Sequence, residues 1–433
     1  AATRAAQLGA KTALIEKDRV GGTCLNRGCI PTKAIIAAVN LYEKIRKAEK
    51  LGISTGEVSI HLSEVIDRKN EIVSKIVKGV EFLLEKNQVE LIRGTGKVLE
   101  NAGTGLVPVR LEIIDSTGRK SEVVSSKLIL ATGSSPASLP GINFNGENFL
   151  SSNDILNLRT PPEELDIVGG GVIGIHFASI FSTLGTKVRI WEVLPEILPG
   201  TDEEITAHLK RILNRKKVEI KTSARFNPAE AYGKSLICVG RTPNLAGLEN
   251  LNLKMNGKSV WVNEKMETSL PGIWAIGDLV SKKMLAHVAY EQGIIAAENA
   301  LGGDKTFNDD HIPLTIYTHP EIGSIGLTEK EARENYPAVT VGKHSYRALG
   351  IAQAMGELDG LIKLISDDNG KILGVHILGA EASTLIGAAA VAVKNGLTVN
   401  QLAETFQSHP SYPEGLQEAA LNSLQRSLHS INM

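Results

Sequence analysis

The sequence predicts an α/β chain made of two similar units and then an α+β domain. Three observations predict it. A helix leading into a strand that ends in an acid occurs twice, closing at Glu16 and at Glu192. The second occurrence carries a glycine-rich turn between strand and helix, DIVGGGVIG. Beyond Pro313 the character changes to alternating strands and a small-residue helix. Repeated strand, turn and helix is the pattern of Rossmann-like dinucleotide-binding domains.

Composition narrows the class. The chain has 433 residues with 47 Lys+Arg against 48 Asp+Glu, a net charge of −1. A nucleic-acid partner usually meets a basic surplus, so none is expected. With 42% apolar and 22% charged residues, this is a folded globular chain. No run approaches the ~18 apolar residues of a membrane helix. Three cysteines are too few for a disulfide scaffold. The 42 glycines exceed the usual share of ~7%. Such an excess suggests tight strand-to-helix turns and backbone packed close to ligands. The chain opens AATRAAQLGA, with no charged leader, and a cytoplasmic (or organelle-matrix) location is the expectation.

Taken in order, residues 1–8 read as the later part of a helix closed by Gly9. Residues 11–17 read as a buried parallel strand ending in Glu16. A helix is expected over 33–50. Over 61–86, Leu62, Val65, Ile66, Val73, Val77 and Leu84 keep the 3–4 spacing of a long amphipathic helix. Short strands follow to about 123, and 127–136 is a buried strand ending in a glycine turn. Residues 166–192 read strand, turn, helix, strand. A strand near 236–239 runs into VGRTPN, another ends in GIWAIGD (272–278), and 284–301 is a helix. After Pro313 come strands at 360–366 and 371–378 and a helix at 380–395 stopped by Gly396. A short helix at 398–405 and a last helix after Glu414 complete the chain. These breaks divide it into 1–149, 150–270, 271–311 and 312–433.

Two motifs carry chemistry. Gly169, Gly171 and Gly174 form G-x-G-x-x-G with strand, helix and closing acid all in place. Such glycines let backbone approach a pyrophosphate, and the helix N-terminus favours the anion. Glu192 can bond a ribose 2′-OH and would repel a 2′-phosphate. Val193 and Leu194 follow it with no Arg, so NAD is favoured over NADP. The second motif, GGTCLNRGCIPTKA, holds Cys24 and Cys29. On a regular helix their Cα atoms would lie roughly 8–9 Å apart, beyond the about 4.4–6.8 Å of a disulfide. A bridge therefore needs an irregular turn, which Gly28 can supply. Pro31 suits the first turn of a helix, which puts Cys29 near its positive end, with Arg27 and Lys33 nearby. Each of these lowers a thiol pKa. A redox pair, two buried free thiols and half a metal site remain open readings. A zinc site lacks its second Cys pair, so no metal is expected.

With its neighbours included, GGTCLNRGCIPTK resembles the active site of the flavoprotein disulfide reductases, most closely the branch that oxidises dihydrolipoamide. The resemblance runs along the whole chain. ATGSSP and GIWAIGD resemble the second and third flavin segments, and MLAH (284–287) the stretch along the isoalloxazine. IYTHPEIGSIGLTE resembles the opening of the dimerisation domain, and HPSYPE carries His409 and Glu414 at the spacing of the catalytic dyad. The resemblance implies a homodimer using FAD and NAD. Its partners would be lipoyl domains and the core of a 2-oxo acid dehydrogenase complex or the glycine cleavage system. Cys24 would be the interchange thiol and Cys29 the thiol at the flavin. His409, held by Glu414 and acting on the other subunit, would be the base, with His409–Pro410 expected as a cis bond. For FAD it implies Glu16 on the adenosine ribose, the loop Gly21, Gly22 and Thr23, then Lys33, Gly96, Thr132, Gly133, Ser134 and Asp278. Met284, Leu285, Ala286 and His287 complete that set. For NAD it adds Gly240 to Gly169, Gly171, Gly174 and Glu192.

Three departures from the family pattern set expectations of their own. The leading strand with its own G-x-G-x-x-G is expected before Ala1. The stretch between Ala224 and Leu236 is short by several strands. His176 stands where the family has Glu near the nicotinamide end, which predicts slower hydride transfer. His176 and His319 read as structural, and Cys238 as an inert buried thiol. Mercuric reductases add a C-terminal Cys pair, and no Cys follows Cys238. Glutathione-type reductases carry basic residues where Glu192, Val193 and Leu194 stand. Transhydrogenases of this fold lack the disulfide. A non-catalytic flavoprotein scaffold would have no need of Cys24, Cys29, His409 and Glu414 together.

Overall fold

The computed structural model describes residues 1–100, 108–281 and 283–431. Helix α1 (Ala2–Gln7) leads into strand β1 (Ala13–Glu16). Helices α2 (Gly22–Arg27) and α3 (Cys29–Arg46) are separated by Gly28 alone, so the helix expected from 33 starts at Cys29. Helix α4 (Leu62–Lys86) is the amphipathic helix that the spacing predicts, with Leu62, Ile66, Val73, Val77 and Leu84 buried. Strand β2 (Glu90–Arg93) pairs in parallel with β1. An antiparallel meander follows: β3 (Thr95–Glu100), β4 (Val109–Ile114) and β5 (Lys120–Ser125). The strand expected over 127–136 is split in two, β6 (Leu128–Leu130) and β7 (Ser134–Pro136).

The second unit runs through β8 (Phe149–Leu150), α5 (Ser152–Ile155), β9 (Glu164–Val168), α6 (Val172–Thr183) and β10 (Lys187–Trp191). Helix α7 (Glu203–Arg215), β11 (Glu219–Lys221) and β12 (Lys234–Ile237) complete it. Its sheet is all parallel, in the order β11-β10-β9-β12-β8. The central strands are apolar because helices cover both faces; Leu165, Ile167, Ile190 and Leu236 are fully buried. The short connection 222–233 is packed by side chains. Arg189 Nε donates to Asp166 Oδ1 at 2.7 Å, and the guanidinium lies 3.5 Å from the Tyr232 ring centroid. Phe226 meets Trp191 edge-on at 5.8 Å. The Tyr232 N–H donates to Asp166 Oδ2, so this buried charge pair is hydrogen-bonded as burial demands.

Strand β13 (Arg241–Pro243) pairs with β7, and β14 (Met255–Asn256) with β15 (Ser259–Val260). Strand β16 (Ile273–Ala275) then pairs in parallel with β6, bringing the chain back to the first unit before helix α8 (Ala286–Ala300). The last domain contains β17 (Leu314–Ile316), β18 (Glu321–Gly326), α9 (Glu329–Asn335), β19 (Val339–Ser345) and α10 (Gly350–Met355). It continues with β20 (Leu361–Asp367), β21 (Ile372–Gly379), α11 (Ala382–Lys394), α12 (Val399–Glu404) and α13 (Glu414–Ser423). Its antiparallel sheet has the order β17-β18-β21-β20-β19. Ile362, Val375, Ile377, Ile386, Leu416 and Ala419 form one core between sheet and helices. Buried Lys363 on β20 donates to both carboxylate oxygens of Asp202, the cap of α7, at 2.9 Å. This fastens the last domain to the second unit. Among the described residues no helix is long and apolar enough to cross a membrane.

Candidate active site

The thiol pair is built by the break at Gly28. A Cβ there would lie 3.0 Å from Thr23 O, so the sharp bend wants glycine. The bend brings Cys24 and Cys29, here both thiols, close enough for each to act on the other's ionisation. Cys29 is the first residue of the 18-residue α3, and Lys33 follows one turn on. The Cys29 thiol is lowered to about 6. The neighbouring Cys24 does most of this, burial opposes it, and the Lys33 ammonium adds to it. Cys29, with burial, pushes the Cys24 thiol up. Of the two, Cys29, at the head of α3 with Lys33 one turn on, is the better placed to carry negative charge.

Around it, parallel strands end together. Glu16 closes β1, Thr132 to Ser134 follow β6, and Asp278 follows β16. Ligands of open α/β sheets bind at such carboxyl ends. Ser134 Oγ donates to Asp278 Oδ2 at 2.5 Å, and Arg241 Nε donates to Ser134 Oγ at 2.7 Å. The Asp278 charge reaches the Cys29 thiol and raises it slightly against the pull of Cys24 and Lys33. The Asp18 N–H donates to Glu16 Oε1 at 2.8 Å, and burial raises the Glu16 carboxyl against the pull of Arg93. Thr132 Oγ1 donates to Asn244 O at 2.6 Å. Gly96 on β3 packs on Ile15, and Met284 to His287 lead into α8. Thr23 lies in α2 behind Gly21 and Gly22. A Cβ added at Gly22 or Gly133 would meet nothing within 4 Å, so open space fronts the backbone there. Acid, hydroxyl and bare backbone at strand ends fit the hydroxyl-rich side of a flavin nucleotide.

The fingerprint turn divides its labour. A Cβ at Gly174 would lie 2.0 Å from Gly169 O, and one at Gly169 would lie 2.5 Å from Cys238 O. Both are packing glycines. At Gly171, and at Gly240 beyond β12, a Cβ would meet nothing within 4 Å. Gly171 caps the 12-residue α6 with no side chain claiming the first N–H groups, which leaves them for an anion. Glu192 Oε2 accepts the Gly170 N–H at 2.7 Å and Oε1 the Leu194 N–H at 2.8 Å. Each oxygen keeps a lone pair for a ribose hydroxyl. These groups fit a dinucleotide.

The dyad stands apart. Glu414 opens α13; its Oε1 lies 2.7 Å from His409 Nδ1, and its Oε2 accepts the Ser411 N–H at 2.6 Å. Burial works against it, but these two hydrogen bonds hold the Glu414 carboxyl below the usual range. His409–Pro410 is cis, and the His409 side chain is 79% exposed. Among the described residues no hydrogen bond or ion pair joins His409 to Cys24 or Cys29 of the same chain. Arg241, Asn244 and Tyr317 were not singled out by sequence. VGRTPN, which holds the first two, and IYTHPEIGSIGLTE, which holds Tyr317, pointed near them without naming them. His176 is buried, accepting the Tyr317 N–H at Nε2 (2.7 Å). Cys238 is half-buried, with its Sγ 3.3 Å from Val168 O, and desolvation pushes its thiol up to about 12. His176 lies as its structural reading expects, whereas Cys238, expected to be buried, keeps part of its surface exposed. No metal cluster occurs among the described residues.

Residues 1–293 match the pyridine nucleotide-disulphide oxidoreductases, and residues 312–420 match the dimerisation domain of these proteins. The chain belongs to this family. It is therefore an oxidoreductase, and the family's cofactors are FAD and NAD. The dihydrolipoyl dehydrogenase of Bacillus subtilis (strain 168) is 37% identical, with 99% of this chain and 97% of that protein covered. That of Haloferax volcanii is 36% identical over 100% and 95%. The structure of LpdA from Mycobacterium tuberculosis superposes with a TM-score of 0.89 at 27% identity, covering 96% of each chain. RclA, a HOCl-induced flavoprotein disulfide reductase from Escherichia coli, gives 0.84 at 26% identity, covering 96% and 95%. The Bacillus alignment spans 453 positions against 433 residues here, so at least 20 positions are gaps on this side. The short 222–233 connection agrees with that.

Proposed function

We propose that this chain is a dihydrolipoyl dehydrogenase, oxidising protein-bound dihydrolipoamide through Cys24 and Cys29 with NAD+ as final acceptor. The observation that carries the reading is the pair of cysteines either side of the Gly28 bend at the head of α3, with Lys33 one turn on, inside a chain matched end to end by dihydrolipoyl dehydrogenases. Glu16, Gly21, Gly22, Thr23, Lys33, Gly96, Thr132, Gly133, Ser134, Asp278 and Met284 to His287 would hold FAD. Gly171, Glu192 and Gly240 would hold NAD, in a turn whose shape the packing of Gly169 and Gly174 sets. The division into 1–149, 150–270, 271–311 and 312–433 is supported by the return of β16 to β6 and by the separate antiparallel sheet.

The exposed dyad and the matched dimerisation domain support a homodimer in which His409 serves the partner's thiols. With Nδ1 turned to Glu414, Nε2 is left to take a proton from a dihydrolipoamide thiol. The thiolate attacks Cys24 Sγ; the Cys24–Cys29 bond breaks and Cys29 leaves as a thiolate. The second substrate thiol then displaces Cys24 and closes the lipoamide disulfide. One proton ends on Cys24, one goes to solvent, and the electron pair resides on Cys29. Lys33 and the α3 N-terminus hold that charge. FAD, when bound, supplies the relay that passes the pair to NAD+ as hydride. Lipoyl domains of a 2-oxo acid dehydrogenase complex or the glycine cleavage system would present the substrate.

The test offers dihydrolipoamide with NAD+ and NADP+ separately. Turnover with NAD+ is expected. Turnover with NADP+ alone would overturn the role of Glu192, and turnover of glutathione in place of lipoamide would overturn the substrate.

A further inference from the structure

Lys33 has an unusual setting. It is largely buried, yet among the described residues no carboxylate lies within ion-pair distance of it. Its ammonium sits 4.1 Å from the Tyr317 ring centroid. The one carboxylate whose charge it feels is Glu321, whose Oε2 is taken by the Ser383 N–H at 2.9 Å. His176 also neighbours Tyr317, with ring centroids 6.3 Å apart. His176 is 6% exposed, and its Nε2 accepts the Tyr317 N–H. That bond leaves Nε2 without a proton. The charge of Lys33 also reaches His176.

We propose that His176 is a positioning residue for the thiol chemistry: by presenting an uncharged ring next to Tyr317, it adds no competitor for the Lys33 charge that holds the Cys29 thiolate one helical turn away. The proposal rests on the function given above. Burial, then Lys33, lowers His176 to about 3, so the ring stays neutral wherever the enzyme works. Around the thiols, Cys29 feels Cys24, Lys33 and Asp278, and Tyr290 feels both sulfurs. None of these neutralises Lys33. A carboxylate at 176 would, and the thiolate would lose its cation.

The test uses holoenzyme carrying Cys24→Ser, so that Cys29 and the half-buried Cys238, whose peptide is distinct, are the only thiols. The rate of Cys29 alkylation by iodoacetamide is followed by peptide mass spectrometry against pH. His176→Glu should move the half-point of that profile up by about one pH unit, which slows alkylation about tenfold below both half-points. Lys33→Met should move it at least as far. His176→Gln keeps an acceptor for Tyr317 and no charge, and should leave it in place. An unmoved half-point in His176→Glu overturns the proposal, as does an equal shift in His176→Gln. If His176→Glu does not fold, an unmoved half-point in Lys33→Met decides against it. Alkylation needs no turnover, so a chain inactive on dihydrolipoamide contradicts the proposed function and still reports on this pairing.

Discussion

Gly171→Ala and Gly174→Ala separate ligand space from packing space within one turn. At Gly174 a new Cβ would sit 2.0 Å from Gly169 O and 3.1 Å from both Cys238 Sγ and Ile167 Cγ2. Non-bonded heavy atoms want about 3.5 Å, so α6 has to retreat by more than about 1 Å. Forced overpacking costs about 1–3 kcal/mol, and a backbone oxygen cannot rotate away, which puts this site at the upper end. At Gly171 the new Cβ meets nothing within 4 Å, and its φ of −75° suits alanine. Stability should then stay within about 0.5 kcal/mol. The methyl nevertheless occupies the space a pyrophosphate needs. Both variants should bind NADH at least about tenfold more weakly, ~1.4 kcal/mol, while only Gly174→Ala lowers the urea midpoint. NADH fluorescence titration and urea unfolding read the two effects separately. Parental NADH affinity in Gly171→Ala would refute the reasoning, because the open space would then not be ligand space.

Other variants probe the remaining parts. Lys363→Met strands buried Asp202 and should cost about 3–5 kcal/mol in urea unfolding. Burial opposes ionisation of Asp202, but Lys363 holds its carboxyl below the ordinary value. That stabilisation is present above about pH 3.9 and is lost as pH falls through the depressed folded value, so the two proteins should converge in acid. An undiminished gap there would contradict the ion-pair account. Cys24→Ser should abolish lipoamide turnover with FAD still bound, and residual turnover would reverse the roles of the two cysteines. His409→Gln should slow reduction of the thiol pair by at least ~100-fold in stopped flow; an unchanged rate would remove His409 as the base.

The elements legible in the sequence were those with strong periodicity or a motif. Helix α4 and the β9–α6–β10 unit lie where spacing and glycines put them. Helix α2 was not seen because its six residues, GTCLNR, show no apolar stripe. Helix α7 and strands β18 and β19 were passed over; EIGSIG is glycine-interrupted, and its burial comes from β21 and α11. The cysteine pair was legible as a motif, and the helix start with Lys33 already placed the lower thiol at Cys29; what was not legible is that a helix, α2, carries Cys24 up to the bend at Gly28. Arg241 was invisible because it meets Ser134 across 107 residues of sequence through the β13–β7 pairing.

The central claim is that electrons enter at Cys24 and leave to NAD+. The most direct measurement is an anaerobic titration of the flavin-loaded protein with dihydrolipoamide, followed by NAD+. A long-wavelength thiolate–flavin band should grow with the first equivalent, and it should decay with formation of NADH when NAD+ is added. A full flavin load with no such band, or a band that NAD+ does not discharge, would contradict it.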